Sequence, residues 1–150
     1  ARYPEIKKAQ YKRLASINKP EWVKAMAVVI NSKAVAQHGY FRWHDAGDIQ
    51  SPEHLQKIFQ VCKLTPSVKH WMPTREAQFL KDIDPAQVPD NLIIRMSSHM
   101  IDQGPVTFWP HTSTVGSSTR TCPAPDQGGK CGSCRTCWNK EIPNIEYGKH

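Results

Sequence analysis

With 150 residues the chain has the length of one ordinary domain, enough to bury a core. Hydrophobic residues make up 39% and charged residues 22%, and no run of 18 apolar residues is present, which excludes a membrane-spanning helix. The formal charge of +7 admits nucleic acid or an acidic partner as a ligand, while an N-terminus without an apolar core argues against a secretory signal and for the cytoplasm.

Pro4 to about Asn18 reads as an amphipathic helix, with Ile6, Leu14 and Ile17 as its apolar stripe and Lys7, Lys8, Lys12, Arg13 and Lys19 as a basic face. That face reads first as solvated surface and second as a docking surface for nucleic acid or an acidic partner. A second helix follows Pro20, with Val23, Met26, Ala27 and Ile30 at helical spacing, although Ala27 to Ile30 also suits a buried strand. Gly39 interrupts the pattern, and Tyr40-Phe41-Arg42-Trp43-His44 has the aromatic content of a strand.

Ser51 and Pro52 supply the cap and first residue of a third helix whose stripe is Leu55, Ile58, Phe59 and Cys62. Cys62 on that stripe reads as a small buried hydrophobe. Val68 to Met72 forms a short strand, and Thr74 is positioned to cap a helix running through Leu80. A loop from Pro85 to Pro89 leads into Leu92 to Met96, a buried strand, and Val106 to Trp109 suggests another. Strands alternating with helices predict an α/β fold of right-handed βαβ units forming a mainly parallel open sheet or partial barrel. Residues 1–150 are then one domain, on which a loop-rich segment from about Gly116 packs and depends on a metal centre for its order.

That segment carries Cys122, Cys131, Cys134 and Cys137, with Pro123 after the first. The run Cys131-Gly132-Ser133-Cys134-Arg135-Thr136-Cys137 can wrap three thiolates around one face of a cubane, and a separate Cys-Pro supplies the fourth, as in ferredoxin-type sites. Gly128, Gly129 and Gly132 let the backbone pass close to inorganic sulfide. A [4Fe-4S] cluster is therefore the expected cofactor. Zinc is the alternative, although zinc sites usually split their cysteines into two C-x2-C pairs a dozen or more residues apart. Disulfides are the third reading, disfavoured by the odd total of five cysteines.

Polar residues gather where the predicted strands end: His44, Asp45 and Asp48 after the first, Thr74, Arg75 and Glu76 after the second, Ser97, Ser98 and His99 after the third. In a parallel sheet these ends share one edge, where ligands bind. Such a set can move protons and bind an anionic group. The alternative makes Asp45, Asp48 and Thr74 turn or cap residues and Arg75 and Glu76 first-turn charges. His111 is a weaker candidate, and His38, His54, His70 and His150 carry no clear signal.

Phe41-Arg42-Trp43-His44-Asp45-Ala46-Gly47-Asp48, Trp71-Met72-Pro73-Thr74-Arg75-Glu76, Arg95-Met96-Ser97-Ser98 and the cysteine segment through Trp138 to Tyr147 and His150 together resemble the phage and prophage gene product 88 family. The resemblance implies a viral origin and hence the host cytoplasm. Three functions follow from the residues. The first is an iron–sulfur enzyme with hydrolase-like acid–base chemistry on a small or anionic substrate; hydride transfer lacks its G-x-G-x-x-G fingerprint, and the cysteine spacing differs from that of radical S-adenosylmethionine enzymes. The second is an electron carrier or redox sensor that meets a redox partner at Arg135 and Trp138. The third is a nucleic-acid-binding module stapled by zinc or a cluster.

Overall fold

The computed structural model describes residues 3–44 and 47–149. Strands β1 (Tyr40–Arg42), β2 (Lys69–Thr74), β3 (Leu92–Ser97), β4 (Thr112–Gly116) and β5 (Asn144–Gly148) stand side by side in that order. All are parallel, and the sheet curls into a half-barrel. The α/β class expected from the alternating pattern is the class observed.

Helix α1 (Pro4–Ile17) buries none of its residues, and its stripe of Ile6 and Leu14 stays exposed. Helix α2 (Trp22–Ala36) includes residues 27–30, so the strand alternative there fails: Ala27, Ile30 and Ala34 are its buried residues, a spacing that places them on one helical face. Helix α3 (Pro52–Leu64) begins as predicted, with Ser51 Oγ accepting from the His54 N–H at 3.0 Å, and it buries Leu55, Ile58, Phe59 and Cys62. The short α4 (Ala77–Leu80) has Glu76, not Thr74, at its N-cap position and no side-chain cap bond.

The sheet separates two cores. On one face Met72, Ile94 and Met96 pack against Leu55, Ile58 and Phe59 of α3 and Ala27 and Ile30 of α2. On the other, Trp71 and Ile93, paired in register, pack against Ile145 and Cys137. Alternation along the strands makes this division, since β2 and β3 are buried on both sides.

Val106 to Trp109 is not a strand. Trp109 is instead a buried plug whose indole donates to the Ile94 carbonyl at 2.8 Å, and the strand lies just beyond Pro110. β4 is rich in threonine and serine yet largely buried, because its hydroxyls are spent laterally: Thr112 Oγ1 donates to Asn144 Oδ1 at 2.8 Å, Asn144 Nδ2 donates to Thr114 Oγ1 at 3.0 Å, and Ser113 meets Ser97 at 2.8 Å.

The first three connections run over the helical face, as the shared core of Leu55, Leu80, Trp109, Met72 and Ile94 requires. The last, residues 117–143, crosses the opposite face, where Cys137 meets Trp71. Strands added in one lateral direction take opposite hands when connected over opposite faces. The β4-to-β5 connection is therefore of opposite hand to the first three. The right-handed rule reflects how a helix packs back on a twisted sheet, and this connection has no α-helix.

Candidate functional site

The crossover is held to the free edge of β5 and, across the face of the sheet, to β1. The N–H groups of Thr121 and Cys122 donate to the Glu146 carbonyl at 2.9 and 3.1 Å, and the Trp138 indole donates to the Phe41 carbonyl at 3.0 Å. Between these anchors Gly128, at φ +64°, closes a 3-10 turn, and Gly132, at φ +57°, turns the chain so that the Cys134 N–H reaches the Cys131 carbonyl at 3.0 Å. The Gln127 amide nitrogen, in the orientation its neighbours require, donates to the carbonyls of Cys131 and Lys130 at 3.0 and 3.1 Å.

The result is that Cys122, Cys131, Cys134 and Cys137 all line one void of about 20 Å³. Cys137 is buried, Cys122 and Cys134 half-buried and Cys131 exposed. Cys134 Sγ lies 3.2 Å from Thr136 Oγ1, and Cys137 Sγ lies 3.5 Å from the Tyr147 hydroxyl. Burial pushes the Cys137 thiol up, opposed by the Tyr147 hydrogen bond and the Arg95 charge. Among the described residues no group of three or more His, Cys, Asp or Glu side chains is disposed to hold a metal ion. The thiols ring the void without closing on its centre.

Beside them lies Arg95, fully buried in β3. Its Nε donates to the Cys137 carbonyl, Nη1 to that of Ile142 and Nη2 to that of Asn139, each at 2.9 Å, with longer bonds to the carbonyls of Thr136, Thr112 and Pro143. The fork-shaped guanidinium fits this need, since it offers five N–H groups in one plane. Its charge has no carboxylate partner among the described residues; Cys137 and Tyr147 are the groups that favour its protonated form. Trp71 adds a second unbalanced group, an indole N–H that is buried and has no acceptor among the described residues.

The strand-end residues are only partly brought together. Asp48 Oδ1 accepts from the Ile49 N–H at 2.7 Å and from the Thr74 hydroxyl, and Oδ2 accepts from the Arg75 N–H at 2.8 Å. The Glu76 N–H closes on Thr74 Oγ1 at 3.0 Å. These bonds tie the loop after β1 to the end of β2, which is the turn-and-cap role for Asp48. The Arg75 side chain is exposed. Ser97 pairs with Ser113, Ser98 Oγ donates to the Gly104 carbonyl at 2.9 Å, and His99 is an exposed turn residue whose N–H donates to Gln103. Asp45 lies outside the described residues.

The gene product 88 profile matches residues 1–140. The chain belongs to the gene product 88 family. No curated protein and no solved structure matches it. Among its described residues no helix is long and apolar enough to cross a membrane.

In this gene product 88 protein the more telling strand-end residue is His44. Its backbone is left-handed at φ +56°, and its Nε2 is buried without a hydrogen-bond partner among the described residues. Burial holds its imidazole below the ordinary value of 6.5, against the pull of the Asp48 carboxylate. Its ring stands edge-on to His54, with centroids 5.7 Å apart. His54 Nδ1 accepts from the Gln50 N–H at 3.1 Å, and burial lowers this imidazole to about 4.

His70 is likewise held to about 4 by burial. Its Nδ1 lies 3.0 Å from the Trp43 indole, which can only donate, so its Nε2 carries the proton and donates to Thr65 Oγ1 at 2.8 Å. Thr65 passes its own proton to the Val61 carbonyl at 2.9 Å. His54 and His70 carried no signal in the sequence because nothing local marks a histidine that a distant indole or backbone amide will meet. Arg95 did carry one: a charge inside the apolar run Leu92-Ile93-Ile94-Arg95-Met96 must find partners on a buried face.

Proposed function

We propose that this gene product 88 protein is an iron–sulfur protein in which the thiolates of Cys122, Cys131, Cys134 and Cys137 hold a [4Fe-4S] cluster. The observation that carries the reading is four thiols on one void beside a buried guanidinium that no described carboxylate balances. Four thiolates with their metal bring net negative charge to Arg95, and Trp71, whose indole is unpaired among the described residues, packs in the same cluster as Cys122 and Cys137. The cluster, when bound, supplies one-electron chemistry and order to the crossover. Arg95, Gln127 and the left-handed glycines do the protein's part, keeping the thiols around one void and Cys137 buried.

Zinc is the second reading, and the small size of the void favours it. Anaerobic purification followed by iron, acid-labile sulfide and zinc analysis separates the two. The cluster requires about four iron and four sulfide per chain and a brown chromophore that Cys134→Ser or Cys137→Ser bleaches. A colourless protein carrying one zinc overturns it.

Hydrolase-like chemistry on a small or anionic substrate has narrower support. Asp48 is committed to structure, and Ser97 to Ser113, so His44 is left as the strand-end group with an uncommitted buried nitrogen. His44→Ala should abolish any hydrolytic turnover while leaving the visible absorption of the protein unchanged; unchanged turnover would end this part of the reading.

A further inference from the structure

Away from the cysteines, a groove of about 1040 Å³ runs between α1, α2 and the loop that follows β1. Its chemistry is lopsided in three respects. Trp22 and Phe41 provide flat apolar walls, backed by the buried Trp43, with the Trp22 and Trp43 ring centroids 6.5 Å apart and those of Trp22 and His54 5.5 Å apart. Lys7, Arg13 and Lys33 stand along it, whereas Asp48 is the one carboxylate among the described lining residues, and both its oxygens already accept hydrogen bonds. At the inner end sit His44 and His54.

His44 concentrates two costs at one position. A left-handed backbone at a residue with a Cβ and a buried ring nitrogen without a partner among the described residues each destabilise the fold. Folding alone has no use for either, because a glycine would relieve the first and an apolar ring the second. His54 has its Nδ1 occupied by the Gln50 N–H, so its proton sits on Nε2 and is offered as a donor. Aromatic walls, cations along the groove and imidazoles at its base select for a flat ring bearing a negative charge.

We propose that this groove is a binding site for a planar aromatic ligand carrying an anionic group, of the size of a nucleoside monophosphate, with Trp22 and Phe41 against the ring, Arg13 and Lys33 on the anion and His44 as the polar anchor. The site is independent of the cysteine centre and does not rest on the cluster.

Calorimetric titration of the whole chain, as purified, with adenosine 5′-monophosphate and phenyl phosphate tests it, with adenosine and inorganic phosphate as single-feature controls. Both ring-bearing phosphates should bind more tightly than either control. Two variants then separate the contributions. Arg13→Glu with Lys33→Glu, both exposed positions, should weaken adenosine 5′-monophosphate by about tenfold or more and leave adenosine unchanged; His44→Phe, which keeps a ring and removes its nitrogens, should weaken it by a similar factor. The proposal is overturned when neither ring-bearing phosphate binds at millimolar concentration. It is equally overturned when a folded form of either variant binds as tightly as the parent. Should His44→Phe fail to fold, the surface variant still decides.

Discussion

Arg95 shows how one residue can hold two layers together. Its guanidinium gathers backbone carbonyls from the crossover and from β4, so removing it leaves several buried acceptors unmet at once. Arg95→Met should lower stability by about 3–5 kcal/mol in urea titration, and Arg95→Lys should recover little of it, because a single ammonium cannot span the fork. The buried imidazoles give a pH signature. For His54 and His70 the folded value of about 4 lies below the ordinary 6.5, so the unfolded chain binds protons first as the solution is acidified. Their contribution is whole above about pH 6.5, is lost as pH falls toward 4, and levels off below that. Urea midpoints measured from pH 8 to 4 should follow this course, and His70→Gln should flatten part of it. At this scale the four cysteines were legible because their spacing is local, and so was the buried Cys62, whose thiol burial raises to about 12. Trp71 was not. Its meaning lies in an indole proton with no acceptor among the described residues, which only the folded face reveals.

Among the elements, those with an apolar period were readable and those held by polar ladders were not. The stripe of α3 and its Ser51 cap appear where the sequence places them, and Ser51→Ala should cost about 1 kcal/mol by thermal or urea unfolding. β4 and β5 escaped because Thr112, Thr114 and Asn144 look like loop residues until they bond one another across strands. Val106 to Trp109 misled for the reverse reason: an aromatic and apolar run served as a plug instead of a strand. Gly116, at the end of β4, marks another hidden constraint. A Cβ there would lie 2.6 Å from the Thr119 carbonyl oxygen, so Gly116→Ala should force the start of the crossover to shift and lower the melting temperature.

Across the whole molecule the two faces of the sheet divide the labour. The helical face buries the larger apolar core, while the smaller one on the other face is covered by the crossover. Chelation or oxidative loss of a bound metal should therefore loosen residues 117–143 first. Limited proteolysis should cut there, well before α2 or α3, and cleavage at equal rates throughout would contradict this division. The parallel α/β plan was foreseeable from alternating periods, whereas the change of hand was not, since no local residue pattern encodes the face a loop chooses. α1 adds a basic helix without buried contacts, and its cations at Lys7 and Arg13 border the His44 groove.

A half-barrel ordinarily leaves two raw margins on which a further strand, from a peptide or a second copy, can be laid. Here one loop bolts the β5 margin: Thr121 and Cys122 occupy the outer carbonyl of Glu146, while Trp138 reaches the Phe41 carbonyl from the face of the sheet. The crossover thus stands in for the next stave beyond β5, and association by strand addition at that margin must first unfasten it.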